Sequence, residues 1–201
     1  MLSIGITGGT GCGKTALLHA VQSRGGAAVD CDALYYDLLR TDETLRAALT
    51  DAFGEVFLPS GSLDRQKLAA IVFSDARQLT RLNKIVFFHV RRAAEQLQHQ
   101  AEADGRALFA IDAINLIESG LSTLCTATVA VLAPENVRLA RIMARDHIDK
   151  AYAQMRIRAQ KPDDFYRLHC KYILENGENA PDAFLIKANH LLDQIIKENS
   201  T

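Results

Sequence analysis

The chain has 201 residues, of which 48% are hydrophobic and 23% charged, and its formal net charge is -1. That length holds one sizeable core with room for a small inserted subdomain. The near-zero charge argues against a nucleic-acid or acidic-membrane partner, and no apolar run approaches the length of a membrane span.

Met1-Leu2-Ser3 leads straight into the first predicted strand, so the expectation is a cytoplasmic protein without a signal peptide. Cys12, Cys31, Cys125 and Cys170 are scattered, without zinc-ligand spacing, and read as free thiols. The histidines form no metal pattern.

The stretch LSIGITGGTGCGKT, residues 2–15, reads as a buried strand, a glycine-rich turn and the start of a helix. Gly8, Gly13, Lys14 and Thr15 fit G-x-x-x-x-G-K-S/T, with Gly9, Thr10, Gly11 and Cys12 between them. Glycines allow backbone conformations closed to other residues and let the loop approach a polyphosphate. The loop N–H groups and the positive end of the helix then face the phosphates. Lys14 suits the β- and γ-phosphates of a nucleotide, and the Thr15 hydroxyl suits Mg²⁺. ATP is the expected nucleotide.

Leu17, Leu18 and Val21 continue the helix, and Gly25-Gly26 ends it. Ala27 to Val29 is a short strand that delivers Asp30-Cys31-Asp32. In an extended segment two such carboxylates project to the same side, where ligands of open α/β sheets bind. One Asp could instead cap the helix predicted over 33–40, leaving the other for catalysis or metal. Residues 41–102 read as nearly all helix, near 42–53, 64–73 and 75–103, an insertion suited to holding a second substrate. Lys84, His89, Arg91 and Arg92 lie on its last helix, either facing an anion or forming a solvated face.

Ala107 to Ile111 is the third strand, ending in Asp112, a position from which a carboxylate can reach Mg²⁺. A short helix containing Glu118 is expected next, broken at Ser119-Gly120. Ala127 to Leu132 is the fourth strand, followed by a helix that Pro134 suits. Residues 138–161 are basic, and Arg141 and Arg145 share a helical face. A mobile flap there could stabilise charge on a transferred phosphoryl group. Pro162 closes the region. Tyr172 to Leu174 is the last strand, Glu175-Asn176-Gly177 a turn, and 182–199 a closing amphipathic helix.

Together these residues resemble the dephospho-CoA kinase family nearly end to end. The likeness rests on IGITGGTGCGKT, on VDCD at 29–32, on GSLDRQKLAAIVFSD at 61–75 and on LN at 82–83. It continues in DAINLIESG at 112–120, RIMARD at 141–146, RIRAQ at 156–160 and YILENG at 172–177. It implies an α/β P-loop fold, three-layered around a parallel sheet, and ATP-dependent phosphorylation of the 3′-hydroxyl of dephospho-CoA. The implied organisation is a nucleotide core from 1–40, 104–134 and 162–201, a helical acceptor subdomain at 41–103, and a lid at 135–161. Asp32 would be the base, with Asp30 beside it. Lys14 and Thr15 would handle phosphate and Mg²⁺. Arg141 would be the lid arginine, with Arg145 near it, and Asn176 would lie near the adenine end of ATP. Asp30, Asp32, Arg65, Asp112 and Glu118 would meet the acceptor. The expected partners are these two small molecules, with the chain a monomer or small homo-oligomer.

The chain departs from the family pattern on the acceptor side. Ile114 stands where the family has Pro, Phe87-Phe88 replace a His-Pro pair with His89 two places on, and Cys170-Lys171 replace Ala-Asp. A kinase of the same architecture acting on a nucleoside, nucleotide or shikimate-like acceptor is the alternative enzyme. A non-catalytic nucleotide-binding relative is the alternative non-enzyme, although Lys14 and both aspartates are retained.

Overall fold

The computed structural model describes residues 1–177 and 181–199. It divides into two compact units, Met1–Val29 with Gln98–Thr201, and Asp30–Leu97.

The first unit is built on a five-stranded sheet. Its strands are β1 (Leu2–Thr7), β2 (Ala27–Asp30), β3 (Leu108–Asp112), β4 (Ala127–Leu132) and β5 (Tyr172–Glu175), in the order β2-β3-β1-β4-β5. β1 pairs in parallel with β3 and β4, and β4 in parallel with β5. β1 is central because LSIGIT is buried along almost its whole length, as a parallel strand covered on both faces must be. The chain leaves β1 toward β2 on one side and leaves β4 toward β5 on the other. The loops after β1 and β4 therefore part at a topological switch point, where open α/β sheets bind ligands.

Alternation along the strands divides the core between the two faces. Ile4 and Ile6 of β1 and Ala127, Val129 and Val131 of β4 pack with Leu17 and Val21 of α1 (Lys14–Ser23) and Ala188, Leu192 and Ile195 of α9 (Pro181–Glu198). Full burial of each large aliphatic side chain contributes about 1.5–3 kcal/mol. Ala130 and Leu132 face the other way and pack on Tyr166 and Cys170. Tyr166 belongs to α8 (Asp163–His169), a one-to-two-turn helix not anticipated from the sequence, where Pro162 reads only as a stop.

Helices α2 (Cys31–Thr41), α3 (Glu43–Phe53), α4 (Arg65–Ser74) and α5 (Ala76–Ala103) agree closely with the helical stretch expected. The second unit has a core of its own: Leu39 of α2, Leu45, Leu49 and Phe53 of α3, Val56, and Leu68 and Val72 of α4, with Leu82 and Ile85 of α5 against them. Asp42 caps α3, accepting from the N–H groups of Thr44 and Leu45.

Two local expectations need correction. Residues 114–119, including Glu118, form turns rather than a helix, and a 3₁₀ helix follows at Leu121–Leu124. Ser119 N–H closes one of these turns on the Asn115 carbonyl, and αL Gly120 ends them. Asp30 and Asp32 do not share one extended strand either. Asp30 is its last residue and Asp32 already lies in the first turn of α2. Spacing by two therefore does not place them side by side.

Candidate active site

The loop between β1 and α1 is shaped by glycines. Gly13 is the N-cap of α1 with φ 92°, a left-handed conformation that any Cβ would strain. It offers no side-chain cap, so the first N–H groups of α1 remain for an anion. Lys14 folds back along the loop, its Nζ donating to the Gly8 carbonyl at 3.1 Å and standing 4.0 Å from Asp112 Oδ1. The parallel register brings this about. Asp112 ends β3 opposite Ile6 of β1, so its carboxylate emerges beside the loop. Thr15 is exposed on the first turn of α1.

Helix α6 (Glu135–Asp146) seats the loop from the other side. Arg141 Nη1 donates to the Gly11 carbonyl at 3.3 Å, and its Nη2 to Asn176 Oδ1 at 3.1 Å. Asn176, buried just past β5, donates its amide to the Cys12 carbonyl at 2.8 Å. The structure thus joins Gly11, Cys12, Arg141 and Asn176 in one hydrogen-bonded ring. Asn176, expected near adenine, has its side chain committed to the loop and to Arg141. Cys12 is buried in the loop, and that burial pushes its thiol up from its ordinary pKa, against the pull of Arg138 and Lys14.

Arg145 donates from Nε and Nη2 to the two Asp146 oxygens at 2.7 and 2.9 Å, and its Nη2 stands 3.4 Å from Thr10 Oγ1. Arg156, on α7 (Lys150–Arg158), takes the same carboxylate. Arg145 and then Arg156 hold Asp146 well below the usual carboxylate range.

Sequence reasoning did not single out Arg138 or Gln160. Arg138 is buried behind the loop, its Nε donating to the Thr10 carbonyl at 2.9 Å and its Nη2 to Gln160 Oε1 at 2.8 Å. Gln160 closes the RIRAQ stretch, which is the only sequence signal that pointed to it. Glu118, expected to meet acceptor, is exposed on its turn.

In the second unit, Asp30 Oδ1 accepts from the N–H groups of Asp32 and Ala33 at 2.9 and 3.1 Å. It is the helix cap, and Asp32 is exposed in the turn it caps. Arg65 opens α4 with its guanidinium 4.8 Å above the Tyr36 ring. His89 is buried, its Nδ1 3.0 Å from Asp42 Oδ2, an oxygen that also accepts from Arg92 at 3.0 Å. Phe88 beside it is exposed.

Among the described residues no group of three or more His, Cys, Asp or Glu could hold a metal alone. Thr15 and Asp112 suit Mg²⁺, which commonly takes one or two protein ligands together with substrate phosphates.

The family model for dephospho-CoA kinase matches residues 2–182. The chain belongs to the dephospho-CoA kinase family. It is 37% identical over 193 residues to the dephospho-CoA kinase of Anaeromyxobacter dehalogenans, covering 96% of this chain and 91% of that one. The solved structure of TT1252 from Thermus thermophilus superposes with a TM-score of 0.78 at 31% identity, covering 98% of this chain and 97% of that one. A dephospho-CoA kinase structure from Campylobacter jejuni shares the fold, with a TM-score of 0.68 at 20% identity and 98% of each chain covered. Membership in this kinase family agrees with a site in which Lys14, Arg138, Arg141 and Arg145 each contact the glycine-rich loop.

Proposed function

We propose that this protein transfers the γ-phosphoryl group of ATP to the 3′-hydroxyl of dephospho-CoA, releasing ADP and CoA. The observation that carries the reading is the family match over residues 2–182. The seating of Lys14 between the Gly8 carbonyl and Asp112 supports it at the donor side.

ATP lies with its phosphates on the N–H groups of the loop and of α1. Lys14 reaches the β- and γ-phosphates, and Arg141 adds charge at the loop's far end. Thr15, with Asp112, would hold Mg²⁺, which would neutralise phosphate charge. Asp32 accepts the proton of the ribose hydroxyl as its oxygen bonds to phosphorus and the bond to the β-phosphate oxygen breaks. Asp30 orders the turn that carries Asp32. Positioning and charge stabilisation supply most of the rate.

The helical segment 41–103 is the acceptor subdomain in this reading, with Arg65 toward the acceptor, and 135–161 is the lid, with Arg145 close to the nucleotide. Glu118 lies toward the acceptor side. The partners are ATP and dephospho-CoA, with no nucleic acid or membrane, and the chain works as a monomer or small homo-oligomer in the cytoplasm. No helix among the described residues is long and apolar enough to cross a membrane.

The test is a coupled assay with ATP and dephospho-CoA in which CoA is confirmed by mass. AMP, CMP, nucleosides and shikimate serve as competing acceptors. CoA formation from dephospho-CoA alone is expected. Preferred turnover of another acceptor would overturn the reading.

A further inference from the structure

Arg138 takes no part in the chemistry above, yet it is the basic residue of α6 held most firmly against the loop, at 6% exposure. Its guanidinium holds the Thr10 carbonyl, and through Gln160 it also holds the Thr10 N–H. Gln160 Oε1 accepts from that N–H at 2.9 Å and from Arg138 Nη2 at 2.8 Å. Both neighbours are donors, so the amide must turn its oxygen to them. Gly9 permits the approach, because a Cβ there would overlap the guanidinium and stand 2.8 Å from Gln160 Oε1.

An arginine is charged at any pH a protein survives. Asp163 and Glu118 act on the neighbouring Tyr166 hydroxyl, as Arg138 does. Among the described residues, however, no carboxylate oxygen lies within 4.0 Å of the Arg138 guanidinium. Its two hydrogen-bond acceptors are both neutral oxygens. A buried charge with neutral partners is costly in the empty protein. It becomes favourable when a polyanion settles on the same loop.

We infer that Arg138 is a positioning residue that keeps a fixed positive charge behind the phosphate-binding loop, with the nucleotide's polyphosphate as its counter-ion. Gln160 is the neutral linker that leaves this charge uncancelled. The inference rests on the reading of the loop as an ATP site and adds how that site is charged. It gives the neutrality of Gln160 a purpose. A glutamate there would accept the same two hydrogen bonds and cancel the charge.

The experiment titrates ATP calorimetrically into wild type, Gln160→Glu and Gln160→Ala, with thermal melts of each protein without nucleotide. Gln160→Glu is expected to melt at or above wild type, since it keeps both hydrogen bonds and gains an ion pair. Its ATP Kd is expected to rise about tenfold, with a shallower dependence on salt. Gln160→Ala, which loses both hydrogen bonds but keeps the charge, is expected to lose less affinity. If Gln160→Glu binds ATP within about threefold of wild type, or loses less than Gln160→Ala, the pair is only a mechanical latch and the inference is overturned. If Gln160→Glu does not fold, Arg138→Lys against Arg138→Gln decides, with Lys expected within about threefold of wild type and equal losses overturning the idea. Failure of the wild type to bind ATP would overturn the ATP site itself, and this inference with it.

Discussion

The side-chain amide of Asn176 donates to the carbonyl oxygen of Cys12 at 2.8 Å, joining residues 164 positions apart. The Asn176 backbone N–H is itself fixed to the Leu132 carbonyl at 2.7 Å. The end of β4 thereby holds Asn176, which in turn holds the loop. Asn176→Ala leaves the Cys12 carbonyl and one arm of Arg141 without this partner. The expected result is a loss of about 1–3 kcal/mol in urea unfolding, together with a several-fold rise in KM for ATP. An unchanged KM for ATP would show that the contact serves the fold alone.

Lys14 bears on turnover more directly. Lys14→Ala removes the cation that sits between the Gly8 carbonyl and Asp112. Loss of one such charged group is worth about 3–4 kcal/mol in the transition state, or a hundredfold or more in rate. The coupled assay should show that loss in kcat, with a melting curve close to wild type. Retention of more than about a tenth of the rate would exclude the proposed role.

Asp30 and Asp32 should separate cleanly. Asp30→Asn keeps a good N-cap and should leave stability nearly unchanged, whereas Asp30→Ala should cost about 1 kcal/mol. Asp32→Asn should bind ATP normally by calorimetry and lose turnover about a hundredfold or more. Near-normal turnover by Asp32→Asn would remove it as the base.

Asp42 gives a pH prediction in the helical unit. Burial alone would raise its pKa. The Thr44 hydroxyl, the His89 ring and the N–H groups of Leu45 and Thr44 outweigh burial and hold the carboxyl well below the ordinary range. A depressed folded-state pKa gives stability that is fully present above the unfolded value of about 3.9 and is lost as pH falls through the folded value. Asp42→Asn should therefore lose about 1–3 kcal/mol at neutral pH. The gap between variant and wild type should narrow steadily as urea melts are repeated below about pH 4. A gap independent of pH would show that the carboxylate charge contributes nothing.

The features visible in the sequence were local ones. Apolar strands ending in chemistry-bearing residues, a glycine loop before a helix, and cap residues such as Asp30 all act over a few positions, so their pattern survives in one dimension. The aspartate pair was misread because alternation was carried two residues beyond the end of β2, into a helix that begins at Cys31. Arg138 and Gln160 were given no role of their own for a different reason. Their partner in the loop lies 128 and 150 positions away, and a buried arginine looks like any solvated one until its neighbours are known. His89 likewise acquires its meaning only from Asp42, 47 positions upstream.

Arg138, Arg141 and Arg145 leave one helix at intervals of three and four residues, so they occupy a single side of it. The three cations consequently cannot be adjusted separately by backbone movement. A small roll of α6 about its long axis would shift all of them against the loop together. Natural variation in this stretch should therefore concentrate on the residues facing away, and the tilt of the rod should be among the least negotiable quantities in the enzyme.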